Sequence, residues 1–156
     1  MKLSRLLRED TVLLDVESRD RDAALGEMAR TLAGRGAVNS ADLFLDRLID
    51  REKMGSTALG NGVAVPHCRV EGLTAPVILL ARSRQGVEFG ALDGRPVYVF
   101  FMLATPPDKP ALNLQALAAV AKLVRQAPNF GKKILRAATA GEVLAAVRAA
   151  EEGAGG

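Results

Sequence analysis

The chain has one cysteine, one histidine, one tyrosine and no tryptophan in 156 residues. A single cysteine excludes an internal disulfide and fits a reducing compartment. One histidine and one cysteine cannot close a zinc site, so no metal is expected. Aromatic residues make up only 4%, and the net charge of +3 comes from arginines scattered along the chain. Without a basic tract or stacking aromatics, nucleic-acid binding is not expected. No apolar run approaches the roughly 20 residues that a membrane-spanning helix needs, so no stable membrane insertion is expected. The start, "MKLSRLLRED", lacks an apolar signal core and a small-residue cleavage site, which points to the cytoplasm. The G-x-x-x-x-G-K-[ST] phosphate loop is missing, and "GNG" lacks the rest of a dinucleotide fingerprint.

What is present is ordinary for a globular protein: 49% apolar and 25% charged residues. We expect one domain over residues 1–152 and a disordered tail over 153–156. "TVLLDV" (11–16) reads as a strand. Ser18 or Asp20 caps a helix whose face is Ala24, Leu25, Met28, Ala29 and Leu32, ended by Gly34 and Gly36. Asn39 or Ser40 opens a second helix with Leu43, Phe44, Leu48 and Ile49 as its apolar face, stopped by Gly55. "PVILLARS" (76–83) and "PVYVFFML" (96–103) are near-continuous apolar runs, as in strands covered on both faces. Between them "GVEFGALDGRP" suggests an edge strand and an Asp-Gly turn at Asp93 and Gly94. Helices follow over about 111–126, 130–137 and 140–152, the last with a capping box of Thr139 and Glu142. The predicted fold is α/β: a mixed β-sheet with helices packed on both faces.

The histidine sits in "REKMGSTALGNGVAVPHC" (51–68). Gly60, Asn61 and Gly62 tolerate left-handed conformations, so the turn can gather N–H groups into an anion-binding concavity. Val63 and Val65 should face one way and Ala64 the other. Pro66 fixes φ and keeps Val65 extended, so His67 stands on a stiff stalk. With a reference pKa of about 6.5, its ring is largely neutral near pH 7 and can accept and return a phosphoryl group. Backbone amides, the hydroxyls of Ser56 and Thr57, and Arg51 could then cradle the phosphoryl oxygens. The residues equally allow a structural histidine, a turn that is only a turn, and an arginine solvated at a helix end. Cys68 follows His67 on an extended chain and faces the other way. It is expected to pack rather than form a dyad.

The run Leu59-Gly60-Asn61-Gly62-Val63-Ala64-Val65-Pro66-His67-Cys68 resembles the active-site signature of the enzyme IIA domains of the bacterial phosphotransferase system, mannitol/fructose type. The similarity extends from the N-terminal strand to the last helix. Within the family, "REKMGST" is most like the nitrogen-related branch of free-standing regulators.

The resemblance implies the mannitol-type enzyme IIA fold and no cofactor. It implies a phosphocarrier rather than a conventional turnover enzyme, with His67 taking the group from an HPr-like carrier. The family's active-site arginine falls on Arg51, sixteen positions before the histidine. A second active-site histidine is usual in the family, and its position holds Asn113. Asparagine can donate a hydrogen bond but carries no charge. It either substitutes adequately or weakens the electrostatic support of a phosphoryl group. Three functions are therefore open: a nitrogen-type phosphocarrier acting on regulatory targets, a sugar-specific enzyme IIA passing phosphate to an enzyme IIB domain, and a regulatory module that no longer transfers phosphate. His67, Arg51 and Asn113 are the expected catalytic residues, with Ser56, Thr57, Asn61 and Gly62 expected to bind phosphate.

Overall fold

The computed structural model describes residues 1–154. Among these, the strands are β1 (Val12–Leu13), β2 (Ala58–Gly60), β3 (Val63–Ala64), β4 (His67–Arg69), β5 (Val77–Val87) and β6 (Val97–Thr105). The helices are α1 (Arg21–Gly34), α2 (Ala41–Lys53), α3 (Pro110–Gln126), α4 (Phe130–Arg136) and α5 (Ala140–Ala154). The strands form one mixed sheet in the order β1-β5-β6-β3-β2, and β4 extends the β3 side by pairing with β6. β5 and β6 are antiparallel, whereas β1 lies parallel to β5, and β3 and β4 lie parallel to β6.

Alternation along the two long strands feeds two cores. Leu79, Ala81, Phe100 and Met102 pack with α1 and α2 on one face, through Leu25, Met28, Leu32, Phe44 and Leu48. Ile78, Leu80, Phe101 and Leu103 pack with α3, α4 and α5 on the other, through Val120, Ile134 and Val147. Each fully buried side chain of this size contributes about 1.5–3 kcal/mol relative to exposure. The layered α/β arrangement is therefore the one expected from the apolar runs. Val63 and Val65 belong to the second core and Ala64 to the first, as strand alternation requires.

Local signals fix the helix starts. Ala23 N–H donates to the Asp20 carboxylate at 3.0 Å, and Leu43 N–H donates to Ser40 Oγ at 3.3 Å. Glu142 N–H donates to Thr139 Oγ1 at 3.1 Å, while Ala138 N–H, not that of Thr139, donates to the Glu142 carboxylate.

Four expectations need correction. The first strand is only Val12–Leu13, because Thr11 closes a 3-10 turn with its hydroxyl bonded to Arg8. Leu43 is exposed rather than core, because Phe44 and Leu48 already define the buried side of α2. The separate edge strand between the long runs does not form, since β5 itself continues to Val87 and only a bridge from Glu88 to Asp20 follows. The turn at Asp93 and Gly94 is present, closed by Gly94 N–H donating to Ala91 C=O at 3.0 Å. Finally, α5 runs to Ala154 and so takes in the first two positions of the expected tail; positions 155 and 156 lie outside the described residues.

Candidate phosphoryl-acceptor site

β4 places the histidine. Pro66 offers its carbonyl to Leu103 N–H at 2.9 Å, and His67 pairs with Leu103 across to β6. Nδ1 of His67 lies 2.7 Å from the carbonyl of Val65. A carbonyl oxygen only accepts, so Nδ1 carries the proton and donates it. Nε2 is left with the ring's lone pair, which makes it the nucleophilic nitrogen. The ring is half-buried, and burial pushes its pKa below the ordinary value of 6.5. The Val65 carbonyl opposes that shift, the positive charge of Arg51 reinforces it, and the negative charge of Glu52 opposes it. The outcome is a neutral imidazole at physiological pH.

His67 opens into a cleft of about 510 Å³ lined by Arg47, Asp50, Arg51, Met54, Cys68, Arg69 and Asn113. Arg51 sits in the last turn of α2, where a cation suits the helix dipole. Its Nη1 donates to the Gly55 carbonyl at 3.0 Å, which tethers the guanidinium while leaving the rest of the fork free for an anion. Asn113 stands in the first turn of α3. Its Oδ1 accepts from Thr105 Oγ1 at 3.3 Å, and Thr105 C=O in turn accepts from Val70 N–H at the end of β4. The Asn113 NH2 has no partner among the described residues and remains available as a donor. His67, Arg51 and Asn113 thus line one opening.

The residues expected to bind phosphate do not join them. The Ser56 hydroxyl donates to the Phe89 carbonyl at 2.9 Å and accepts from Ala58 N–H at 3.1 Å. The Thr57 hydroxyl is buried and donates to the Glu52 carboxylate, which also accepts Thr57 N–H at 3.0 Å. Asn61 does adopt the left-handed conformation, with φ of 57°, but its N–H points at the Asp93 carboxylate, 3.2 Å away. The concavity already holds an anion from its own chain. The N–H groups of Arg95 and Asn61 hold the Asp93 carboxyl below the usual range. Asn61 and Gly62 line a different cavity, of about 760 Å³, that shares no residue with the His67 cleft.

Two features escaped the sequence reading. Arg47 lies one helical turn before Arg51, and its Nη1 donates to the Arg69 carbonyl at 2.9 Å, bracing α2 against β4. The four-residue spacing of the two arginines was the available signal. Glu52 is 3% exposed, and its carboxylate locks the end of α2 to the start of β2. Nothing local announces that role. Cys68 is half-buried against the first core, and burial pushes its thiol up to about 12, with Arg47 acting in the opposite sense. It is a protonated thiol, as its packing position suggested.

The family model of the phosphoenolpyruvate-dependent sugar phosphotransferase system, EIIA 2, matches residues 5–150. The chain belongs to that family. This EIIA domain is 31% identical over 144 residues to a nitrogen regulatory protein of Pseudomonas aeruginosa, covering 92% of each chain. It is also 31% identical over 137 residues to the fructose-specific EIIABC component of Bacillus subtilis. That match takes in 88% of this chain, which spans only 21% of that protein's length. Among solved structures, it is similar to the nitrogen regulatory protein IIA-Ntr of Neisseria meningitidis. The TM-score is 0.84 at 30% identity, and 93% of this chain and 98% of that one are covered. The EIIA fold and a place in a phosphotransfer system follow. Among the described residues no helix of this EIIA domain is long and apolar enough to cross a membrane.

Proposed function

We propose that this EIIA domain is a cytoplasmic phosphocarrier and regulator of the nitrogen-type phosphotransferase system, loaded at His67 by an HPr-like carrier. The observation that carries this reading is the ring itself: Nδ1 committed to the Val65 carbonyl, Nε2 free, and a guanidinium at the same opening. The P–N bond of the donor phosphohistidine breaks as a P–Nε2 bond forms. The donor imidazole leaves with its electron pair, and the His67 ring becomes cationic. Its Nδ1 proton stays shared with the carbonyl, which stabilises that charge. Arg51 and the Asn113 NH2 supply donors to the phosphoryl oxygens, and no metal or organic cofactor takes part. The phosphoryl group brings about two negative charges to the cleft mouth, offset in part by the cationic ring, and that change is what a regulatory target reads.

The test is incubation with phosphoenolpyruvate, enzyme I and the cognate HPr-like carrier, followed by mass spectrometry. The expected result is an acid-labile gain of one phosphoryl group that disappears in His67→Ala. Arg51→Ala should slow loading about 10²–10³-fold, the usual cost of one donor to a developing anion. No gain overturns the reading and leaves a non-transferring module, and a gain surviving His67→Ala overturns the assignment of His67 as the acceptor.

The nitrogen assignment is supported by the "REKMGST" run and by similarity across nearly the full length of the Pseudomonas aeruginosa protein. Equal identity to the fructose-specific relative favours a second reading, a sugar-specific EIIA that hands the group to an enzyme IIB domain. Rapid discharge of phosphorylated protein to a fructose-type IIB domain would select it.

A further inference from the structure

The rim of the His67 cleft combines an excess of positive charge with exposed apolar surface. Arg47, Arg51 and Arg69 line it against one carboxylate, Asp50. Met54, also in the lining, is 83% exposed. Leu43 is 64% exposed and lies one turn before Arg47, so Leu43, Arg47, Arg51 and Met54 form a single stripe along α2. Met54 is thus a large exposed apolar side chain within this lining, while Leu43, one turn along α2 from Arg47, and Leu114, next to Asn113 in sequence, are exposed on the two helices that contribute to it. Exposed leucine and methionine around a functional opening mark a contact surface. A second stripe, Asp42, Asp46 and Asp50, runs beside the first on α2, and of these only Asp50 is in the cleft lining, so three guanidinium groups face one carboxylate there.

We propose that the basic row reads the partner: the protein that docks over His67 presents acidic side chains around an apolar centre. This rests on the phosphocarrier reading and adds the sign of the partner's charge. A phosphorylated donor brings about two further negative charges, which the same arginines accommodate. Arg47 and Arg69 are exposed, and the Arg47 guanidinium is braced on the Arg69 carbonyl, so it meets a partner with little reorganisation. An acidic face gains attraction from three guanidinium groups at the rim. A basic face would have to align with the aspartate row and leave the arginines opposed to like charge.

The proposal is tested by titrating the cognate HPr-like carrier into isotope-labelled protein and following amide shifts, which reports docking whether or not transfer occurs. The expected result is shifts on α2, β4 and the first turn of α3. The Kd should be at least tenfold weaker in Arg47→Glu/Arg69→Glu, and weaker at high salt in the unmodified protein. Asp42→Asn/Asp46→Asn should bind as tightly or more tightly. Arg47→Gln and Met54→Asp, which leave the buried faces untouched, should each weaken docking and guard against a folding defect in the double reversal. Binding that is unchanged or tightened by the arginine reversal, weakened by the aspartate neutralisation, or seen elsewhere on the surface overturns the proposal. Parallel loading with phosphoenolpyruvate separates the two failures. A protein that loads normally but ignores the arginine reversal refutes only the partner's charge, whereas one that binds as expected and never loads refutes only the carrier role.

Discussion

At the scale of single residues, the carbonyl of Val65 decides which nitrogen of His67 keeps its lone pair, and burial favours the neutral ring. The pH dependence follows with a definite sign. The folded pKa is lowered, so the unfolded chain binds this proton more readily than the native one. Stability from the neutral ring is fully present above the unfolded value of about 6.5 and is lost as pH falls toward the lower folded value. An NMR titration of the His67 ring should therefore give a midpoint below 6.5, and urea midpoints should fall with pH through that window. Replacement by asparagine should flatten this part of the stability profile. A midpoint above 6.5 would contradict the burial argument. The candidate site was legible at this scale because "VAVPHC" fixes its own backbone: alternation places the valines, proline holds the extension, and the ring follows. The hydroxyls of Ser56 and Thr57 are engaged elsewhere: Phe89 lies 33 residues from Ser56, and Glu52, only five residues from Thr57, turns inward through a burial that no local pattern shows.

At the scale of elements, the tight connection from β2 to β3 aligns β3, from which the chain runs through Val65 and Pro66 to His67 on β4. Gly62 has φ of +79°, and a Cβ there would come within 3.2 Å of the Tyr98 ring. Its carbonyl also accepts the N–H groups of both Tyr98 and Val99. Gly62→Ala adds left-handed strain, about 1–2 kcal/mol for a side-chain-bearing residue, to that close approach. We expect a loss of about 2 kcal/mol in urea unfolding, together with slower phosphoryl loading. Helix starts were readable from sequence, since Asp20 and Ser40 act on N–H groups three residues away. The fate of the Asn61 N–H was not. Its partner, Asp93, lies 32 residues along the chain, and no local pattern says that a carboxylate of the protein fills the concavity.

At the scale of the whole molecule, the two cores are separated by the sheet, and a buried arginine ties β5 to Leu14 and to α4 on the side of the second core. Arg82 projects from β5 and is 1% exposed. Its Nε donates to the Leu14 carbonyl at 2.9 Å, and its Nη1 donates to the carbonyls of Ile134, at 3.0 Å, and Ala137 at the end of α4. Asp15, 3.6 Å from Nη2, balances the charge at the surface. Arg82→Met keeps much of the volume but strands three carbonyls, and should cost about 3 kcal/mol in chemical denaturation. The apolar run "PVILLARS" announced a central strand, but not that its arginine points inward, because the accepting carbonyls lie up to 68 residues away.

One further consequence comes from the strand pairing of His67. Its backbone is clamped to β6 through Pro66 and Leu103, so the ring has no swinging arm on which to travel between stations. On the phosphocarrier reading proposed above, a donor to Nε2 and a target that contacts the modified ring must cover the same small window. The two would therefore exclude one another, and delivery would end before the message is read.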